Sequence, residues 1–322
     1  MATLAENRTN MVGVMSALGA VFFFSINDVA IKFLSGDYAL HQVVLIRSMI
    51  GILVLLAFIF PRQGGGELFR TRRLGAHLLR ALFVVIANLC FFMALAAMPL
   101  ADVVAIFFVF PMIITALSVI LLGEYVGPRR WAAVGIGLLG VAIMVRPGAS
   151  TFQMVSLLPI AAACGYALLH IMTRRIRETE RAATMTFYVQ LTFIFVSIGI
   201  GLAVGDGRFA DQGNLSLDFF FRQWVRPDPG DYLIFLLLGV CSTGGAYLIS
   251  QAYRLCEAGL AAPFEYSALP MAIFWGVVVF GDWPDATAWL GISLIVVGGL
   301  YMFWREALSA QGSLTRGPHR DR

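Results

Sequence analysis

The run from Met11 to Leu34 constrains this chain more than any other feature. It is almost wholly apolar and exceeds the roughly 20 residues that a helix needs to cross a bilayer core. Nine more runs follow, near 39–60, 76–98, 101–122, 130–146, 153–174, 183–205, 232–255, 260–281 and 285–304. Lipid offers no hydrogen-bond partners, so backbone that crosses it must satisfy itself within helices. The pattern therefore predicts an all-α membrane protein with ten transmembrane helices. Of 322 residues, 59% are hydrophobic and 13% charged, where a soluble domain carries about 25% charge.

The basic residues lie in short clusters between the runs, so the net charge of +4 is no nucleic-acid signal. One set of loops holds Arg62, Arg70, Arg72, Arg73, Arg129, Arg130, Arg174, Arg175, Arg177 and Arg181, and Arg305 to Arg322 follow the last run. The alternate loops hold Arg146, Arg208, Arg222 and Arg226. The positive-inside rule then puts both termini in the cytoplasm of an inner or plasma membrane. It leaves the polar segment Asp206–Asp231 outside, where Phe219, Phe220, Phe221 and Trp224 suit a membrane surface. Residues 306–322 read as a disordered tail.

Charges inside the runs are the candidates for function, because a buried charge in a membrane helix is costly. Ser25, Asp28 and Lys32 are spaced to share one helix face. The plain alternative is a local Asp28–Lys32 ion pair, since residues four apart on a helix are neighbours. Arg47 sits about 10 Å into the second run at 1.5 Å per residue. An Asp28–Arg47 clamp between the first two helices stands beside solute contact as its role. Glu265, just after Pro263, reads either as a proton-coupling group or as a neutral hydrogen-bonded carboxyl. His170 reads as a packed or interface-facing imidazole, with a proton relay as the alternative. Tyr166, Gln190, Tyr247, Gln251 and Tyr266 can offer hydrogen bonds. Phe107, with Phe108 and Phe110, could line a pocket for a planar ring or an organic cation. Asn88 could bond across helices, and Ser242, Gly244 and Gly245 suit close packing.

Other chemistries leave no trace. There is no phosphate-binding loop, no G-x-S-x-G elbow and no H-E-x-x-H pair. Cys90, Cys164, Cys241 and Cys256 all lie in apolar runs at spacings that match no zinc site, so they read as inert packing residues without a disulfide. We expect no enzyme activity, no cofactor and no metal, and as partners only a small solute and the bilayer.

The chain repeats itself. Pro111-Met112 and Pro270-Met271 lie mid-run; Gly123-Glu124 and Gly281-Asp282 end those runs; Trp131 and Trp289 open the next, followed by Gly140 and Gly298. Two five-helix units, 11–147 and 152–305, fit this register. Five is odd, so the second unit inserts inverted, a transporter signature with the site between the halves. Pro111 and Pro270 then read as paired hinges. Each removes a helical hydrogen bond and crowds the carbonyl four residues back, those of Phe107 and Tyr266.

Asn27-Asp28-Val-Ala-Ile-Lys32, Arg47, Leu79-Arg80, Met98-Pro-Leu-Ala-Asp102, Phe110-Pro111, Leu122-Gly-Glu124 and Gly135-Ile-Gly-Leu-Leu-Gly140 together carry a family resemblance. The chain resembles the EamA-type members of the drug/metabolite transporter superfamily over nearly its whole length. The resemblance implies two inverted repeats, alternating access and a small organic solute. Within the family, the Asn-Asp-Val-x-Ile-Lys stretch with a second-run arginine looks most like the S-adenosylmethionine uptake group. Riboflavin transporters and amino-acid or drug exporters share the fold. The second repeat departs from the first at one position that matters: Tyr166 and His170 stand where Phe24 and Asp28 do.

Overall fold

The computed structural model describes residues 2–59, 74–123, 127–146, 154–176, 182–210, 213–255 and 264–315. Helices α1 (Ala2–Leu34), α2 (Leu40–Val54), α3 (Leu74–Ala97), α4 (Leu100–Phe107), α5 (Phe110–Leu122) and α6 (Pro128–Val145) form the first half. The second half has α7 (Leu157–Ile176), α8 (Ala182–Val204), the short α9 (Leu215–Phe221), α10 (Tyr232–Leu255), α11 (Ala268–Phe280) and α12 (Ala286–Thr315). No strand occurs among the described residues. Seven helical segments are long and apolar enough to cross a membrane, with α4 and α5 counted as the single span Leu100–Leu121. Three shorter apolar helices, Trp131–Val145, Ala268–Phe280 and Ala286–Met302, stand at the remaining expected positions. Helix α12 continues to Thr315, so the first ten residues of the expected disordered tail are helical; residues 316–322 and the start of the ninth run lie outside the described residues.

The helices pair as a pseudo-twofold arrangement requires. Helix α1 packs on α10 and its counterpart α7 on α3, while α2 packs on α8 and α6 on α12. The register holds at single residues. Gly123 and Gly281 both end their helices with positive φ, 67° and 72°, where a Cβ would be strained. Trp131 N–H donates to Gly127 O and Trp289 N–H to Asp285 O, at matching first turns. A Cβ on Gly140 would fall 2.8 Å from the Gly291 carbonyl, and one on Gly298 would fall 3.0 Å from that of Ala133. These two contacts are symmetry mates, so small residues let α6 and α12 cross closely twice. Gly245 serves α1–α10 the same way, its Cβ position lying 2.8 Å from the Phe24 ring.

Both halves contain a broken helix at equivalent places. In the first, Phe108 and Val109 separate α4 from α5, and Pro111 is the second residue after the break. In the second, the turn Tyr266-Ser267 precedes α11, and Pro270 is its third residue. Proline is tolerated there because the first N–H groups of a helix have no intrahelical acceptor. The Tyr266 carbonyl accepts from Leu269 N–H at 3.1 Å, a tighter-turn bond that partners the oxygen Pro270 cannot serve.

One end of the bundle, where α1 ends, is covered by residues 213–231; we call it the upper end. Phe219 anchors this segment, fully buried. Tyr38 Oη donates to Asp231 at 2.5 Å and accepts from Asp228 N–H at 2.9 Å. Gln42 pairs with Val225 in both directions, donating to its carbonyl at 2.5 Å and accepting from its N–H at 3.2 Å. Arg222 donates to the carbonyls of Ser35 and Tyr38, and Ser216 Oγ to that of Met93. Arg146, which caps α6, pairs with Asp285 at the start of α12. The Ala288 N–H, and then Arg146, hold the Asp285 carboxyl below the usual carboxylate range.

Candidate functional site

Helix α1 carries Asp28 about 9 Å below its last residue, at 1.5 Å per residue. Asp28 is surrounded by protein on every side yet keeps accessible surface. Tyr166 and His170 on α7, and Arg80 on α3, share that combination. A group deep in a bundle that still has accessible surface faces an internal space rather than lipid. Asp28 lies in the upper half of the bundle and Arg80 in the lower half, so such groups occur on both sides of its middle.

Among the described residues Asp28 receives one hydrogen bond, from Asn27 Nδ2 at 3.0 Å. Arg47 faces it electrostatically, but among the described residues the two form no contact ion pair. Arg47 is 3% exposed. Its guanidinium lies between the rings of Phe92 and Phe193, at 5.2 and 4.9 Å from their centroids. Cation–π contact with two rings replaces part of the lost hydration. So the expected clamp is a through-space pairing, with Arg47 packed and Asp28 facing the internal space. The alternative Asp28–Lys32 pair does not form either: Lys32 reaches up to Asp282 at 3.5 Å.

The middle of the bundle is aromatic. Phe110 stacks on His170 at 6.0 Å with ring planes 10° apart, and Tyr166 meets His170 edge-on at 4.6 Å. Phe107 packs on Tyr166 at 5.2 Å, Phe110 on Tyr166 at 5.0 Å and Phe108 on Tyr266 at 4.9 Å. The first helix break supplies this cluster, because Phe108 and Val109 leave regular helix there and bring Phe107, Phe108 and Phe110 together. The charges of Glu265 and Arg80 both bear on Tyr166. Glu265 is 8% exposed. Tyr266 is 6% exposed, its hydroxyl set so close that a Cβ on Gly299 would overlap it. Tyr266 thus props the second break against α12.

The remaining candidates separate from these. Ser25 accepts from Trp275 Nε1 at 3.2 Å, which ties α1 to α11 across the two halves. Gln190 donates to Thr243 at 3.1 Å in a buried contact between α8 and α10. Gln251 donates to Tyr247 at 3.1 Å along its own helix. Asn88 also turns inward on its own helix, to the Val84 carbonyl at 3.0 Å, and not across helices. Cys90, Cys164 and Cys241 are free thiols; Cys164 is exposed rather than packed.

Sequence reasoning missed Arg80 as a site residue. It had the same signal as Arg47, a charge inside an apolar run, but its nearness to the start of the run read as a boundary. Phe108 and Phe110 were seen only as neighbours of Phe107. Asp102 was named only within the family motif, and Asp282 only as a landmark of the repeat.

With two inverted halves, paired broken helices and charged groups around an internal space, the fold is that of a membrane carrier. The chain belongs to the EamA-like transporter family, whose model matches residues 11–146 and 153–304. It is 28% identical to a riboflavin transporter of Vibrio cholerae, over 88% of this chain and 90% of that protein. It is 23% identical to an S-adenosylmethionine uptake transporter of Rickettsia prowazekii, over 94% and 96%. It is 26% identical to the pseudopaline exporter CntI of Pseudomonas aeruginosa, over 88% and 93%. A solved crystal structure covers 93% of this chain and 98% of its own with a TM-score of 0.63 at 19% identity, which shows the fold alone.

Proposed function

We propose that this protein is a secondary carrier for a small metabolite with a planar heteroaromatic ring, moved by alternating access. The observation that carries this reading is the aromatic cluster of Phe107, Phe108, Phe110, Tyr166 and His170 beside an internal space. Parallel and edge-on ring faces suit a flat π-system. We take an S-adenosylmethionine-like solute first. Its adenine suits the rings, and its sulfonium and ammonium charges suit Asp28, a carboxylate held deep in the same bundle. A flavin is the second reading, supported by the riboflavin-transporter relatives; it uses the rings and has no need of Asp28.

Thermal unfolding of the purified protein with S-adenosylmethionine or riboflavin tests this. A ligand at 100 times its dissociation constant adds about 2.7 kcal/mol of stability. Stabilisation by S-adenosylmethionine that Asp28→Asn removes is the expected result. Stabilisation by riboflavin that survives Asp28→Asn selects the second reading. Stabilisation by neither sinks both.

We place the protein in the inner membrane with both termini cytoplasmic and residues 213–231 outside, on the strength of the arginine asymmetry. A single Arg226→Cys variant in a cysteine-free background checks this, since Arg226 is exposed whereas Ser216 is 3% exposed. An impermeant thiol reagent is expected to label it in intact cells. Labelling only after the membrane is opened reverses the orientation.

A further inference from the structure

Lys32 is the chain's only lysine, and three elements meet on it. Its ammonium donates to the Met98 carbonyl at 2.5 Å, lies 3.5 Å from Asp282 and stands 5.1 Å above the centre of the Phe280 ring. Met98 sits between α3 and α4 in the first repeat, while Phe280 and Asp282 end α11 in the second. One side chain thus bridges the halves directly above Asp28, a single helical turn lower.

Asp282 is aimed at this meeting. Gly281 turns the chain with φ 72°, and Asp282 N–H folds back onto the Gly276 carbonyl at 2.9 Å. The partners are only partly dry, with the Lys32 side chain 14% exposed and that of Asp282 34%. Water thus reaches the pair from the Asp282 side, while the Lys32 ammonium keeps the Met98 carbonyl as a second partner.

The other ties at the upper end differ in kind. Those of residues 213–231 run to α2, α3 and the α1–α2 turn, and most use backbone groups that lock a segment in place. Arg146–Asp285 joins the ends of α6 and α12, which already cross closely through their glycines. Among the described residues, Lys32 alone joins α1 to both the α3–α4 corner and the end of α11.

We propose that Lys32 is the latch that closes the upper end of the translocation path. It releases Asp282 and the Met98 carbonyl whenever that end opens, and re-forms both contacts when it shuts. The covering segment 213–231 travels with the helices it is bonded to and is not the gate. This inference rests on the carrier reading but not on which solute is carried.

A cysteine reporter below the latch tests it. Ser25 lies seven residues before Lys32, about 10 Å lower at 1.5 Å per residue, and is 7% exposed. Ser25→Cys is placed in a background where Cys90, Cys164, Cys241 and Cys256 are serine. An impermeant thiol reagent is applied to the face bearing residues 213–231. Lys32→Met keeps the stem over Phe280 and removes the charge; Asp282→Asn removes the partner. Each is expected to speed labelling at least about tenfold. Lys32→Arg, which keeps the charge and a donor for the Met98 carbonyl, is expected to label within about threefold of the parent. Labelling at the parental rate in both Lys32→Met and Asp282→Asn overturns the latch, as does a Lys32→Arg variant that labels as fast as they do. If Lys32→Met fails to fold, Asp282→Asn and Lys32→Arg decide alone. The readout is accessibility, so a wrong solute assignment leaves this test standing. A failed latch leaves ligand stabilisation unaffected.

Discussion

Asp28→Asn is expected to lower transport by at least about tenfold, while the protein remains folded and inserts normally. The case rests on how little the carboxylate does for the fold. Among the described residues Asp28 receives a single hydrogen bond, from its sequence neighbour Asn27. It makes no contact ion pair with Arg47 among the described residues, and Arg47 has its own support from the Phe92 and Phe193 rings. Burying a charge without full compensation costs stability, and a neutral isostere removes that cost. Against this stands the lost attraction to Arg47. The two effects oppose each other, so the net change should stay within about 1 kcal/mol, the size of an ordinary hydrogen bond. The asparagine oxygen can still accept from Asn27. What the substitution cannot keep is the negative charge that faces the internal space. Uptake at matched membrane abundance, read beside thermal unfolding, separates the possibilities. Unchanged uptake shows that the charge has no part in transport. Loss of folding together with uptake makes Asp28 a structural partner of Arg47.

The sequence made the span pattern and the repeat legible because both are written in local order. Apolar runs need only length, and the prolines, Gly123 with Gly281, and Trp131 with Trp289 recur at nearly constant offset. The charges inside the spans were legible too, because any charge there stands out. Their partners were not. Lys32 bonds to residues 66 and 250 positions away, while the spacing rule offered Asp28 four residues off. Helix geometry says which residues share a face, but not whether a neighbouring helix brings a better partner. Lys32 is near its helix end, where its long stem can reach the loops above; Asp28 is a turn too deep to follow. Asn88 illustrates the opposite error. A polar side chain in a span need not reach across when the carbonyl one turn back is free to accept. The aromatic site was half visible. Phe107 stood out, but it takes the break after it to bring Phe108 and Phe110 into the same cluster as Tyr166 and His170.

The proline pair should show the other large effect. Joint replacement, Pro111→Ala with Pro270→Ala, is expected to slow transport about fivefold, about 1 kcal/mol on a scale of 1.4 per tenfold, with solute affinity within about twofold of the parent. Each proline sits just inside the start of a helix that follows a break. There its missing N–H costs little, whereas in a continuous helix proline costs about 3 kcal/mol. The prolines therefore make the broken form the cheaper one. Alanine supplies an N–H that can reach the carbonyl four residues back and join the two helical pieces, a gain of about 1 kcal/mol per bond. The halves should respond unequally. The Tyr266 carbonyl already accepts from Leu269, so a new bond at Pro270 displaces an old one. At Phe107 the corresponding bond competes with the turn made by Val109 N–H to the Ile106 carbonyl. Straightening there would also rotate Phe108 and Phe110 within the ring cluster, which makes Pro111→Ala the stronger single variant. Transport rate, ligand stabilisation and unfolding temperature, measured on both single variants and the pair, distinguish the outcomes. A slower carrier with intact binding and raised thermal stability supports breaks that move during the cycle. Parental transport in the double variant means that the breaks are fixed features of packing. Lost binding means instead that the breaks serve to place the rings.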